Sequence, residues 1–242
     1  MTGPSLGGPV HRSGRLIVSL DVRHAEDALR IAGAVAPHAA GLQVGLGLLH
    51  GPGPGVVGAV ARLAPVLVDA SLHGIPSAVA AAARRLGEYG ARWVTAHALG
   101  GVEMLEAAVR GLAEGAGGRR AGVLAITLLT SLDQAGLAAA GLGGSQGKVV
   151  SRLTRMAAAA RAEGVVCPVS ELGVAGDVAP GLLRVAPGIR AGGADRQDQR
   201  LVADAGEAVC RGADLVVVGR PVVDAEDPAG AAAELAAAVD GR

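Results

Sequence analysis

The sequence predicts an α/β chain folded as a (β/α)8 TIM barrel, and three observations carry the prediction. Eight short runs rich in β-branched residues alternate with longer Ala-rich stretches, the sequence form of repeated β-α units around a parallel sheet. Most of these runs are nearly continuous in apolar residues, as strands are when helices cover one side and packed side chains the other. The length of 242 residues sits at the compact end of what eight such units need. A doubly wound open sheet is the alternative, but no GxGxxG follows the first run.

In chain order the predicted strands are LIVSL at 16–20, GLQV at 41–44, VLVDA at 66–70, WVTA at 93–96, VLAIT at 123–127, GVVC at 164–167, LRVA at 183–186 and LVVV at 215–218. Amphipathic, Ala-rich segments at 25–35, 77–89, 101–114, 148–163, 204–211 and 228–239 supply helices between and after them. The Gly/Pro-rich segments 50–55 and 140–147 read as loops, the second as a mobile one. Residues 1–13 are expected to be a flexible N-terminus and residues 14–242 a single barrel domain, since no internal linker is long enough to divide the chain.

Composition narrows the function. The chain is 50% hydrophobic and 18% charged, with 22 basic residues against 22 acidic ones. Lys148 is the single lysine, so a mechanism that needs two active-site lysines is excluded. A GC-rich genome also gives few lysines, and composition alone does not separate the two causes. Phenylalanine is absent, and Trp93 and Tyr89 are the only aromatics, which leaves Ala, Val, Leu and Gly to build the core. Zero net charge without a basic cluster or stacking platform argues against nucleic acid as a partner. No apolar run approaches the roughly 20 residues of a membrane span, and residues 1–13 lack the apolar core of a signal peptide. A cytoplasmic protein without membrane contact is expected. Cys167 and Cys210 lack metal-ligand spacing and read as buried free thiols, with a redox role as the alternative; no metal and no cofactor is expected.

In a barrel of this kind chemistry sits at the C-terminal ends of the strands. Asp21 closes the first predicted strand, Gln43 lies in the second, and Asp69, Ser71 and His73 occupy alternate positions at the end of the third, on one side while the chain stays extended. A charge at the barrel mouth needs partners or a ligand that uses it; for Asp69 the alternatives are a ligand and a set of backbone N–H donors. An Asp69–His73 pair can support acid/base chemistry, with a structural histidine as the other reading. His97 at the end of the fourth strand reads as a hydrogen-bonded core residue. At the far end, Pro187-Gly188-Ile189-Arg190, Asp198-Gln199 and Val218-Gly219-Arg220 follow the seventh and eighth strands, where such barrels often bind phosphate through a glycine and a helix start. Arg190 and Arg220 supply planar, permanently charged forks for phosphate oxygens. A substrate without phosphate, with the arginines serving structure, is the alternative.

These segments, in order and without large insertions, resemble the orotidine 5'-phosphate decarboxylase family from Leu16 to about Val239. The matches are LIVSLD at 16–21, LQVGLGLL at 42–49, VDASLHGIPSAV at 68–79, VTAHALGG at 94–101, ITLLTSL at 126–132, EGVVC at 163–167, APGIR at 186–190, DQ at 198–199 and VVVGRPV at 216–222. The resemblance implies phosphate binding by Arg190, Gln199, Gly219 and Arg220. It implies further substrate contacts by Ser131 to the pyrimidine, Asp21 to the ribose, and Pro187. It also implies a homodimer, although the threonine that reaches across the family's dimer interface is Ala78 here.

The family's alternating Lys-Asp-Lys-Asp array falls on Gln43, Asp69, Ser71 and Gly74. Only the aspartate at 69 remains, and His73 is the one nearby group of suitable pKa. An array summing to zero charge is reduced to a single minus, which repels a substrate carboxylate about 4 Å away by about 4 kcal/mol at an intermediate dielectric. Serine is a poor acid for protonating a carbanion. These substitutions predict an enzyme that keeps a nucleotide-like, phosphorylated ligand but has lost orotidine 5'-phosphate decarboxylation and acts on another substrate, within specialised nucleoside metabolism. A non-catalytic nucleotide-binding pseudoenzyme is one alternative, and a residual or atypical decarboxylase of pyrimidine nucleotide biosynthesis is another.

Overall fold

A computed structural model describes residues 14–189 and 204–241. Its strands are β1 (Leu16–Ser19), β2 (Gly41–Val44), β3 (Val66–Leu72), β4 (Trp93–His97), β5 (Gly122–Ile126), β6 (Gly164–Val166), β7 (Leu183–Ala186) and β8 (Leu215–Val218). Each pairs in parallel with the next, and β8 pairs with β1 through Leu16↔Val216 to Val18↔Val218, so the sheet closes. The predicted (β/α)8 barrel is therefore the fold, and the open sheet is excluded.

Alternation along the strands explains how the core and the site divide. Ile17, Leu67, Trp93, Leu124, Val185, Leu215 and Val217 form a buried cluster inside the barrel. Their neighbours in sequence, such as Leu16, Val18, Val66, Val68, Val94 and Val216, join the larger core between sheet and helices. Further along the same inward files come Ser19 and Asp21, Asp69, Thr95, Ile126, Pro187 and Gly219, all of which line a cavity at the C-terminal mouth. Polar residues thus enter only where the inward file leaves the packed layers.

Four of the helices start where a short polar side chain takes an orphan N–H group. Asp133 accepts from Gly136 N ahead of the helix Gln134–Ala139, and Ser145 from Lys148 N ahead of Gln146–Ala159. Asp204 caps Ala205–Cys210, and Asp227, followed by Pro228, caps Pro228–Asp240. Helices Pro76–Glu88 and Gly101–Ala116 pack closely because Gly115 lies against the carbonyl of Arg84, where a Cβ would overlap it.

Five short helices had no expectation behind them: Leu46–His50, Gly55–Ala61 and Leu172–Val178, together with Gln134–Ala139 and Arg220–Val223. The segment 50–55 accordingly contains only a four-residue turn between two helices, and 140–147 gives up its last residues to the helix beginning at Gln146. Gly and Pro content obscured these helices, whose stability comes from buried Leu48, Val56, Val57, Val60 and Leu172 rather than from propensity. Residues 1–13 lie outside the described residues, and no described helix is long and apolar enough to cross a membrane.

Candidate functional site

The cavity at the C-terminal mouth holds about 470 Å³ and is lined from all eight strands or the segments just after them, β4 giving only Thr95. Its charged lining residues are Asp21, Asp69 and Arg220. Two hydrogen-bonded chains fix the carboxylates. Gln43 Nε2 donates to Ser19 Oγ at 2.9 Å, and Ser19 Oγ donates to Asp21 Oδ1 at 3.0 Å. Thr95 Oγ1 donates to Asp69 Oδ1 at 2.7 Å, and Ser71 Oγ donates to the same oxygen at 3.0 Å. Ser19 and Thr95 are each 3% exposed, so their hydroxyls have little water to exchange with. Among the described residues neither Asp21 nor Asp69 forms an ion pair.

A Cβ at Gly219 would stand 2.9 Å from Asp21 Oδ2, so a side chain there would displace the carboxylate that Ser19 holds. Arg220 begins the short helix Arg220–Val223 directly behind it, with Pro221 inside the first turn. Gly188, at φ 76°, lets the chain after β7 turn beside the cavity next to Pro187 and Ile189.

Most of the expected site residues meet here. Asp21, Gln43, Asp69, Ser71, Pro187, Gly219 and Arg220 line one cavity. Arg190 and Gln199 lie outside the described residues. Three expectations are corrected. His73 is exposed and does not line the cavity, because Ser71 takes φ 45° and ends the alternation that would have carried the next odd residue inward. The expected Asp69–His73 pair is replaced by Asp69 with Ser71 and Thr95, while the His73 ring lies 5.5 Å from that of His97. Gly74, one residue further out, is exposed as well. Ser131 is exposed outside the lining, and Leu128, Leu129 and Thr130 take its place along the cavity after β5.

His97 is half-buried, and burial first, then the neighbouring His73, push its imidazole below its ordinary value; Asp69 opposes them. Cys167 is buried and its thiol is pushed up to about 12 by loss of solvent, with Glu171 adding to it. It is an inert thiol at neutral pH, whereas Cys210, expected to be buried as well, is exposed near the end of the helix Ala205–Cys210. Among the described residues no group of three or more His, Cys, Asp or Glu could hold a metal ion. Lys148 sits on the helix Gln146–Ala159 and does not line the cavity.

Sequence reasoning missed Ser19 and Thr95. Ser19 stands two residues before Asp21 on the same inward file, which is a readable signal, whereas Thr95 meets Asp69 only across strands, 26 residues away in the chain.

The family model of the orotidine 5'-phosphate decarboxylase / HUMPS family matches residues 14–235. The chain belongs to this family. Among curated relatives, orotidine 5'-phosphate decarboxylase of Anaeromyxobacter sp. (strain K) is 48% identical over 93% of this chain and 98% of its own. The enzyme of that name from Thermobifida fusca (strain YX) is 43% identical over 92% and 94%. Among solved structures, orotidine 5'-phosphate decarboxylase from Lactobacillus acidophilus superposes with a TM-score of 0.82 at 29% identity, covering 94% of this chain and all of that one.

These relatives overturn the expectation of a chain that has left the reaction for another substrate. That expectation rested on three substituted positions. Against it stands 48% identity spread over nearly the full length of both chains to a protein named for the reaction, with a cavity at the C-terminal mouth of the barrel.

Proposed function

We propose that the chain is an atypical orotidine 5'-phosphate decarboxylase of pyrimidine nucleotide biosynthesis, acting as one catalytic domain over residues 14–242. The observation that carries the reading is Asp69, a carboxylate without an ion pair among the described residues, fixed by two hydroxyls on the wall of a cavity of nucleotide size. The names of the near full-length relatives support the substrate.

The phosphate goes to Gly219 and Arg220, joined by Arg190 and Gln199, and the ribose to Asp21. The pyrimidine carboxylate is then pressed against Asp69. At about 4 Å two such charges repel by about 4 kcal/mol at an effective dielectric of about 20. Breaking the carbon–carboxyl bond releases CO2, leaves the electron pair on the ring carbon and moves negative charge away from Asp69, so the repulsion is relieved along the reaction. The ring carbon takes a proton from the Ser71 hydroxyl, which recovers one from water. A hydroxyl is a weak acid for this transfer, so protonation is the slow half of the reaction.

Homodimerisation is part of the proposal and is supported by Ile75, 70% exposed, and Leu99, 42% exposed, which follow the adjacent strands β3 and β4. Work in the cytoplasm is proposed with it.

The test is conversion of orotidine 5'-phosphate to uridine 5'-phosphate with release of CO2. Wild type should turn over, and Ser71→Lys should raise the rate about 100-fold, the usual scale of a well-placed general acid. A wild type and a Ser71→Lys variant that both bind the nucleotide and release no CO2 would overturn the reading.

A further inference from the structure

The pairing of β3 with β4 slips inside the site. Leu67 and Val68 face Trp93 and Val94, and Leu72 faces Ala96. Three residues of β3, from Asp69 to Ser71, therefore stand against one residue of β4, Thr95. Such a bulge disrupts the ladder and leaves backbone groups in need of other partners. Ser71 carries the distortion, with φ 45° in the left-handed region that residues with a Cβ rarely occupy. Its N–H donates to Thr95 Oγ1 at 2.9 Å.

A threonine hydroxyl has one hydrogen. Because the Ser71 N–H can only donate, it takes a lone pair of Thr95 Oγ1, and the hydroxyl hydrogen is left for Asp69 Oδ1, 2.7 Å away. One buried atom thus ties the strained backbone of the bulge to the carboxylate two residues earlier. We propose that Thr95 is the positioning residue of this site: it holds Ser71 in its left-handed conformation and aims the Asp69 carboxylate in the same contact. Strained conformations persist only where the surroundings over-determine them, and here the Thr95 hydroxyl on the neighbouring strand adds to the Ser71 Oγ–Asp69 hydrogen bond and the Leu72–Ala96 pairing.

The kinetic side of this inference rests on the decarboxylase reading, while its structural side does not. Thr95→Val removes the hydroxyl at nearly constant volume, Thr95→Ser keeps it, and Thr95→Ala repeats the loss if the Val variant does not fold. In decarboxylation assays, Thr95→Val should lower kcat by about 10- to 100-fold, the scale of a misplacement near the reacting atoms, with KM changed less than about threefold. Thr95→Ser should recover most of kcat. A crystal structure of Thr95→Val should show Ser71 out of the positive-φ region and the Asp69 carboxylate rotated. A Val variant with wild-type kcat, or a Ser variant as impaired as the Val variant, overturns the proposal. If wild type itself releases no CO2, the decarboxylase reading fails and the crystal structure decides alone: unchanged Ser71 and Asp69 then overturn the role of Thr95.

Discussion

At the N-terminal ends of the strands, Glu163 is gripped by Arg92 through two hydrogen bonds of 2.5 and 2.7 Å and by Arg120 at 3.2 Å, and Asp214 receives the side chain and the backbone N–H of Arg184. At the C-terminal ends, Asp21 and Asp69 receive hydroxyl hydrogens from Ser19, Ser71 and Thr95. Both ends therefore hold carboxylates firmly, but only the N-terminal end neutralises them with arginine among the described residues. An arginine fork offsets the cost of taking a carboxylate out of water, which serves stability. A hydroxyl fixes the direction of a carboxylate and leaves its charge for something that arrives later. The difference assigns stability to one mouth of the barrel and chemistry to the other, as the architecture generally does.

The sharpest way to break that division is Asp69→Asn. If the charge at the C-terminal mouth is kept for the substrate, removing it should lower the decarboxylation rate by about 100- to 1000-fold, since roughly 4 kcal/mol of repulsion corresponds to about three powers of ten. The melting temperature should move little, because the amide oxygen of the variant side chain can still accept from both hydroxyls. Steady-state kinetics beside thermal unfolding reads both quantities. Full activity in Asp69→Asn would assign the carboxylate to structure and erase the contrast.

The reciprocal variant is Arg92→Met. The Arg92 and Glu163 side chains are only 14% and 20% exposed, and the guanidinium also lies 4.3 Å from the centroid of the Trp93 ring. Removing one partner of a largely buried pair leaves the other short of compensation, at a cost of about 2–4 kcal/mol. For a chain of this size that lowers the melting temperature by about 5–10 °C. The rate of the folded enzyme should stay within about twofold of wild type. A variant with unchanged stability and a reduced rate would reverse the two mouths.

The division was only half legible in the sequence. Eight apolar runs identified the barrel, and the strand-end rule brought Asp21, Asp69, Gly219 and Arg220 to one mouth, where they are found. Alternation then failed at a single residue. It carried His73 inward because nothing local announces that Ser71 leaves the extended region; the bulge comes from pairing with Thr95, 24 residues away in the chain. The arginine clamps were illegible for the same reason, since Arg92 and Glu163 are 71 residues apart and meet only when β4 and β6 enter one barrel. Gln43 misled in another way. Read against a lost lysine it is a deletion, whereas in the fold its amide donates to Ser19, which in turn donates to Asp21.

Acid titration gives the smallest of these effects and compares the mouths within one protein. Burial pushes the Glu163 carboxyl up, but the hydrogen bonds and charge of Arg92, together with Arg120, outweigh it and hold the group below its ordinary value of 4.5. A carboxyl whose folded value is depressed contributes stability that is fully present above its unfolded value and is lost as pH falls through the folded one. Stability should therefore fall on acidification below about pH 5, and Glu163→Gln should flatten that slope while lowering stability at neutral pH. Urea unfolding at a series of pH values measures it. Glu163→Gln with the same acid slope as wild type would mean that the carboxylates of the N-terminal mouth do not carry the acid sensitivity, and that the stabilising charge lies elsewhere in the barrel.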